Sequence, residues 1–117
     1  MGLPDSFVSR VAASDYVVVL TTLDSAAEAR RLVRRLVDQR LVACGTVLPG
    51  ATSVYRWRGE VTEEDEVVVL MKTERSRWDA LRAAIAAEHP YEVPELLALP
   101  VGAGLERYLA WVSAEVA

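Results

Sequence analysis

The sequence has very few of the residues that form disulfides and metal sites. Among its 117 residues there are one cysteine, Cys44, and one histidine, His89. A single cysteine excludes an internal disulfide, and no secretory signal pattern is visible at the start, so we expect a cytoplasmic protein. No apolar run approaches the roughly 20 residues that span a bilayer, so we expect no membrane partner.

Positive charge is also scarce. Thirteen basic residues stand against seventeen acidic ones, which gives a net charge of -4. Proteins that bind phosphate backbones are usually basic, so we expect no nucleic acid partner. The sequence also lacks the G-x-x-x-x-G-K-[ST], H-E-x-x-H and G-x-S-x-G motifs, so we expect that the protein is not an enzyme.

What the sequence does contain is enough apolar residue for one core. At 52% hydrophobic, the chain predicts a single domain over residues 15–117, preceded by a flexible leader at residues 1–14. Two β-branched runs, YVVVLTT (16–22) and VVVLM (67–71), do not alternate with polar residues. This pattern is typical of strands that are buried on both faces.

Three segments have helical periodicity. The first begins at Ser25, which stands in capping-box spacing with Glu28, and runs to Gln39. The second follows Ser76, which has the same spacing with Asp79, and ends before Pro90. The predicted apolar stripes are Ala29, Leu32, Val33, Leu36 and Val37 in the first helix; Trp78, Leu81, Ala84 and Ile85 in the second; and Leu105, Tyr108, Leu109, Val112 and Val116 in a terminal helix, with Trp111 beside the last stripe.

The segment between the first two helices predicts one long β-hairpin. Gly59 supplies its turn, and Pro49-Gly50 predicts a bulge. A short strand at ELLAL (95–99) completes the order βαββαβ with an extra C-terminal helix. We therefore predict an α+β, ferredoxin-like antiparallel sheet with both crossover helices on one face and the first and third strands in the centre. The hairpin is too long for such a sheet to cover, which predicts a closed homo-oligomer.

Four blocks of the sequence, RLVACGTVLPGATSVYRWRGEV, EVVVLMKT, HPYEVPELLALPV and YLAWV, closely resemble the CutA family of divalent-cation tolerance proteins. The resemblance implies a ferredoxin-like subunit that forms a trimer and has no defined enzymatic activity. It also implies a role in tolerance of copper and other divalent metals, with copper binding in some members. Thr21 stands where some members have cysteine, and Glu88 where some have a second histidine.

The candidate metal ligands are His89, Cys44 and Glu95, for copper or another divalent cation. One chain offers too few such ligands for a complete site, so ligands from different copies would have to meet. Two other interpretations remain open: Cys44 is a small buried hydrophobe, and His89 is a spacer with a satisfied ring before Pro90.

A second set of residues predicts a ligand-binding cleft. Lys72, Tyr91 and Glu95 are expected on its wall, with Tyr55 and Trp57 as interface anchors or ligand platforms. Lys72 either forms an ion pair with Glu66 or Glu95 or binds an anion. Two hypotheses follow: a trimeric metal-responsive protein, or a trimeric signalling or scaffolding module whose inter-subunit clefts bind a small anion or a partner protein.

Overall fold

The computed structural model of the protein describes residues 12–117. The elements, in chain order, are β1 (Tyr16–Leu23), α1 (Ala26–Asp38), β2 (Cys44–Trp57), β3 (Glu60–Glu74), α2 (Trp78–Glu88), β4 (Leu96–Pro100) and α3 (Glu106–Val116), with short 3-10 turns at Ala13–Asp15 and Arg75–Arg77. This order confirms the predicted βαββαβ arrangement and its extra helix. The predicted leader lies almost entirely outside the described residues.

The four strands form one antiparallel sheet in the order β2-β3-β1-β4. The first and third strands lie in the centre and the second and fourth at the edges, as predicted. Both crossover helices pack on the same side of the sheet, where their buried residues share one core with β1 and β3, as expected for two right-handed crossovers. The structure thus has one sheet face that the crossover helices cover and one that they leave open.

The covered face and the two crossover helices form the main core. Alternate residues of β1 and β3 point toward the helices and are fully or nearly fully buried, together with the predicted apolar positions of each helix. These core residues are Val17, Val19, Leu23, Val67, Val69 and Met71 from the strands, with Ala29, Leu32, Leu36, Leu81 and Ile85 from the helices. Val37 is an exception to the predicted stripe, since it is 39% exposed at the edge of α1.

The opposite sheet face is apolar but only partly covered. Val18, Leu20, Val68 and Leu70 face this side and are half-buried, and on β4 Leu97 and Leu99 are 54% and 48% exposed. The prediction that both β-branched runs are buried on two faces is therefore wrong for a single chain. The reason is that both crossover helices cover the same face, so within residues 12–117 only α3 is left for the other.

The terminal helix α3 covers one end of that second face. Val112 and Val116 pack with Tyr16 and Ala43 in a small separate core. The Tyr16 hydroxyl hydrogen-bonds Ser113 Oγ at 2.6 Å, which in turn donates to Glu74 Oε2 at 2.7 Å. Leu105, predicted as part of the apolar stripe, is 72% exposed because it precedes the helix.

The hairpin of β2 and β3 extends well beyond the sheet. Residues Glu60 to Glu66 pair only with β2, since the last β1 pair is Leu23 with Val67. The turn contains Arg58 and Gly59, both at positive φ, and the register shifts between Leu48 and Ala51, which confirms the bulge predicted at Pro49-Gly50. The molecule is accordingly elongated, at 54 × 26 × 24 Å.

The predicted helix ends were partly correct. The Glu28 N–H donates to Ser25 Oγ at 3.3 Å, so the first N-cap is confirmed. The Ser76 cap is wrong, because a 3-10 turn leads directly into α2 and the Ser76 hydroxyl donates to Glu74 instead. Before Pro90 the backbone of His89 is extended, which confirms where α2 ends.

Candidate functional site

A groove of about 700 Å³ lies between the projecting hairpin and the segment that leads into β4. Its size is within the usual range for ligand pockets. The residues that line it are Thr22 from β1; Ser53, Val54, Tyr55 and Trp57 from β2; Glu64 and Glu66 from β3; and Tyr91, Glu92, Val93, Pro94 and Glu95 from the connecting segment.

Apart from Val54, the β2 and β3 residues of this groove share one side of the hairpin, because strand side chains alternate. Ser53 pairs with Glu64, and Tyr55 and Trp57 follow at every second position toward the turn. On β3, Glu64 and Glu66 stand an even number of positions from Val68 and Leu70, so their side chains point to the same face. The groove therefore continues the partly covered apolar face of the sheet.

His89 fixes the other wall. The residue is 9% exposed; Nε2 lies 2.7 Å from the Thr22 carbonyl oxygen, and Nδ1 accepts the Tyr91 N–H at 3.2 Å. Because Nδ1 is an acceptor, Nε2 carries the proton and donates to Thr22. The His89 and Tyr91 rings also make an edge contact, with centroids 4.7 Å apart. Both ring nitrogens are thus occupied, and the histidine positions Tyr91 against the end of β1.

Thr21 holds the same segment to the sheet. Its Oγ1 donates to the Glu95 carbonyl oxygen at 2.7 Å, and the residue is fully buried. At the other position singled out in the sequence, Arg35 Nε donates to Glu88 Oε2 at 3.1 Å in an ion pair between α1 and α2. Both residues therefore have structural partners in this chain.

The groove is acidic. Four carboxylates line it, from Glu64, Glu66, Glu92 and Glu95, and its lining includes no basic residue. Desolvation, followed by the charges of Glu66, Asp24 and Glu64, raises the pKa of Tyr91 to about 12. Desolvation and then the adjacent Glu64 carboxylate also raise the pKa of Tyr55. At neutral pH both phenols are neutral in a negative field.

Two buried polar atoms at this site have no hydrogen-bond partner among residues 12–117: Glu66 Oε2 and the Tyr91 hydroxyl. Glu66 is only 7% exposed. A buried carboxylate oxygen without a partner costs free energy unless a donor or a cation reaches it. From the sequence, Glu66 is predicted only as a partner for Lys72. The signal that it belongs on this face is its spacing of two and four residues from Val68 and Leu70.

Four of the five predicted ligand-site residues line the groove: Tyr55, Trp57, Tyr91 and Glu95. Lys72 does not. It pairs with Val18 and Cys44, six residues along β3 from Glu66, which at strand spacing is about 20 Å away. Its Nζ donates to Thr46 Oγ1 at 3.1 Å, so the predicted ion pair with Glu66 or Glu95 is not formed.

The three predicted metal ligands are not brought together in one chain. Cys44 is a half-buried free thiol at the Lys72 end of the sheet, 3.5 Å from the Tyr108 hydroxyl, whereas His89 and Glu95 lie at the opposite end. Burial, followed by the hydrogen bond and charge of Cys44, raises the pKa of Tyr108 to about 12. Between residues 12 and 117, no three His, Cys, Asp or Glu side chains are close enough to hold a metal ion.

Comparison with known proteins decides the family. The sequence profile of the CutA1 divalent ion tolerance proteins matches residues 17–115. The chain belongs to the CutA1 family. The divalent-cation tolerance protein CutA of Thermus thermophilus is 45% identical over 95 residues, which cover 81% of this chain and 92% of that protein. The match places the chain among proteins of divalent metal ion tolerance.

Solved CutA structures have the same fold. CutA of Xylella fastidiosa superposes with a TM-score of 0.86 at 38% identity, over 89% of this chain and 100% of that one. The Archaeoglobus fulgidus protein, described as a periplasmic divalent cation tolerance protein CutA, gives 0.84 at 28% identity, over 87% and 99%. No helix within residues 12–117 has the length and hydrophobicity needed to cross a membrane.

Proposed function

We propose that this CutA1 protein acts as a cytoplasmic homotrimer, without catalysis, in tolerance of divalent cations such as copper. The observation that carries the proposal is the apolar sheet face that one chain leaves half uncovered. Val18, Leu20, Val68 and Leu70 lie on it, and Leu97 is 54% exposed there. An apolar face of this kind marks a contact between proteins.

The strand edges support a closed assembly. The outer edges of β2 and β4 have unpaired backbone groups, and the hairpin carries seven residue pairs, from Ala51 with Glu66 to Trp57 with Glu60, beyond the sheet. Pairing between copies satisfies these edges, and closure prevents continued growth into a fibre. Three copies is the number that the resemblance to CutA proteins implies.

We further propose that a divalent cation is bound between copies and not within one chain. His89, Cys44 and Glu95 do not fit a shared site in a single subunit, because the sheet separates Cys44 from the other two and both nitrogens of His89 are engaged. Assembly is the arrangement that can bring carboxylate or thiol ligands from different chains together. The free thiol of Cys44 is compatible with a reducing compartment.

The test is a calorimetric titration with Cu(II) and, separately, Zn(II). The wild-type trimer is expected to bind, and Leu97→Glu, which places a charge on the apolar face, is expected to give folded single chains that do not. Circular dichroism checks that the variant is folded. Equal affinity in separated chains would refute binding between copies, and no binding by the wild type would refute metal binding altogether.

The small-anion version of the alternative hypothesis is not supported by the groove. Its four carboxylates repel anions, and Lys72 lies at the other end of the sheet. The groove itself is nevertheless a well-defined site of ligand size, and its chemistry points to the opposite charge.

A further inference from the structure

We propose that the groove binds an organic cation with N–H donors, a guanidinium or primary ammonium group, with the Glu66 carboxylate as its anchor. The proposal rests on the groove alone and holds whether or not the protein functions through a bound metal ion. Four observations support it: an unpartnered buried carboxylate, the charge of the lining, its aromatic side chains, and a guanidinium already placed on its rim.

Glu66 is the strongest of these observations. It is 7% exposed, and no other group in the described part of the chain hydrogen-bonds its Oε2. The buried hydroxyl of Tyr91, which lines the same groove, likewise has no partner there. A cation with several N–H groups has donors for such oxygens, and hydrogen bonds between charged groups are the stronger kind. Glu64 and Glu95 add negative charge around that position.

An organic cation suits this lining better than a bare metal ion does. Within the described chain no three metal-ligating side chains converge, so a divalent ion would have too few protein ligands. An ammonium or guanidinium group needs only two or three acceptors and gains further from aromatic faces. Tyr55 and Trp57 supply such faces, and about 700 Å³ is room for a small organic molecule or a long side chain.

The hairpin turn already shows how a guanidinium sits at this site. Arg58 Cζ lies 5.5 Å from the centre of the Trp57 ring, and its Nη2 is 3.3 Å from Glu92 Oε2. Both members of that ion pair are exposed, so it adds little stability. It nevertheless places one guanidinium against an aromatic ring and a carboxylate of the groove, which is the arrangement we infer for the deeper site at Glu66.

The cation can come from two sources, a free small molecule or a basic side chain of a second copy. The groove continues the sheet face that the proposed trimer covers, so a neighbouring chain would pass close to it. Both sources provide the same kind of cation, but Glu66→Gln affects them differently. If the cation is a free molecule, the substitution lowers its affinity. If the cation is a side chain of another copy, the substitution weakens the assembly.

The experiment is a calorimetric titration of the full-length protein with agmatine, which has both a guanidinium and a primary ammonium group. Glutarate serves as the anionic comparison. Agmatine is expected to bind and glutarate is not. Glu66→Gln, which keeps the shape of the side chain, is expected to weaken agmatine binding about tenfold or more. Tyr91→Phe removes only the unpartnered hydroxyl and is expected to weaken it as well.

The matched control is Glu63→Gln. Glu63 is exposed on the same strand, and its side chain does not line the groove, so the change removes the same charge without touching the site. If agmatine does not bind, the second source is tested by the concentration at which the assembly dissociates. Dissociation of Glu66→Gln at about tenfold higher concentration than Glu63→Gln would then support a side chain from another copy.

Two results would overturn the proposal. The first is agmatine binding that Glu66→Gln and Tyr91→Phe leave unchanged. The second is no agmatine binding together with a Glu66→Gln assembly as stable as the Glu63→Gln control, or more stable. If the Glu66 carboxylate meets no cation, replacing it by a neutral amide stabilises the protein; if it meets one, the same change destabilises the complex. The sign of the change in stability therefore distinguishes the two cases. Neither result depends on Cu(II) titrations, so failure here is distinguishable from failure of the metal proposal.

Discussion

Replacing His89 by alanine tests whether this histidine is a metal ligand or a structural support. In the structure the ring joins three segments: its Nε2–H donates to the Thr22 carbonyl on β1, its Nδ1 accepts the Tyr91 N–H, and the ring itself follows α2. His89→Ala removes both hydrogen bonds and leaves a cavity beside Tyr91. The expected outcome is a substantial loss of stability.

The magnitude follows from the two backbone groups that lose their partner. A typical buried group left unsatisfied costs about 1 to 3 kcal/mol. The Thr22 carbonyl and the Tyr91 N–H are affected. Tyr91 lines the groove, where a water molecule can replace part of the lost interaction, so we expect the free energy of unfolding to fall by about 2 to 4 kcal/mol. His89→Gln places its amide N–H near the position of Nε2, where it can donate to Thr22, but has no acceptor at the position of Nδ1 for the Tyr91 N–H, so it is expected to lose roughly half as much stability.

The assay is urea unfolding followed by tryptophan fluorescence, with all variants at the same protomer concentration because assembly contributes to apparent stability. The reasoning would be refuted by a His89→Ala protein within about 0.5 kcal/mol of the wild type, the usual range for surface changes. If that variant also lost Cu(II) binding, His89 would be a ligand and its hydrogen bonds incidental.

Three further predictions concern the core, the tyrosines and the uncovered face. Gly45→Ala is expected to destabilise the protein by about 1 to 3 kcal/mol, because a Cβ there would lie 2.7 Å from Val33 Cγ1 and 3.2 Å from Met71 Cγ. Gly102→Ala is the control, since Gly102 has open space around it. Equal urea midpoints for the two variants would contradict the close packing at Gly45. Since Tyr91 and Tyr108 have folded-state pKa values of about 12, above the ordinary 10.0, the stability they confer is complete below pH 10 and is lost as the pH rises from 10 to 12. In a pH titration followed by phenolate absorbance, the transition near pH 12 that belongs to Tyr91 should be absent in Tyr91→Phe, and the one that belongs to Tyr108 should be absent in Tyr108→Phe. If both tyrosines of the wild type titrated near pH 10, desolvation of these sites would be contradicted. Leu97→Glu is expected to dissociate the assembly in light scattering while Val37→Glu, on the exposed side of α1, leaves it intact; identical masses for the two variants would exclude the sheet face as the interface.

The sequence was sufficient for most of the fold because its local signals agree with one another. Ser25 caps α1, Pro90 ends α2, and Pro49-Gly50 and Gly59 mark the bulge and the turn of the hairpin. The two non-alternating β-branched runs identified the central strands. Only the prediction that a single chain buries both faces of these strands was wrong. A non-alternating run shows that both faces are apolar, but it does not show what covers each face.

The candidate site was harder to predict, because it depends on which end of the sheet each residue reaches. Lys72 and Glu66 are six residues apart on one strand, which is too far for contact. The sequence predicts their ion pair only because a lysine that ends a buried strand needs either solvent or a carboxylate partner. His89 could be a ligand or a support until its two hydrogen bonds were seen. The burial of Glu66 without a partner is a property of the packed hairpin that no local pattern encodes.

The most direct test of the account is the mass of the wild-type protein in solution, measured by size-exclusion chromatography with multi-angle light scattering at micromolar protomer concentration. We predict a single species with three times the mass of one chain, in which the face around Leu20 and Leu97 is covered. A stable, folded species with the mass of one chain would contradict the account, because the apolar sheet face and the edges of the hairpin would then be exposed to water.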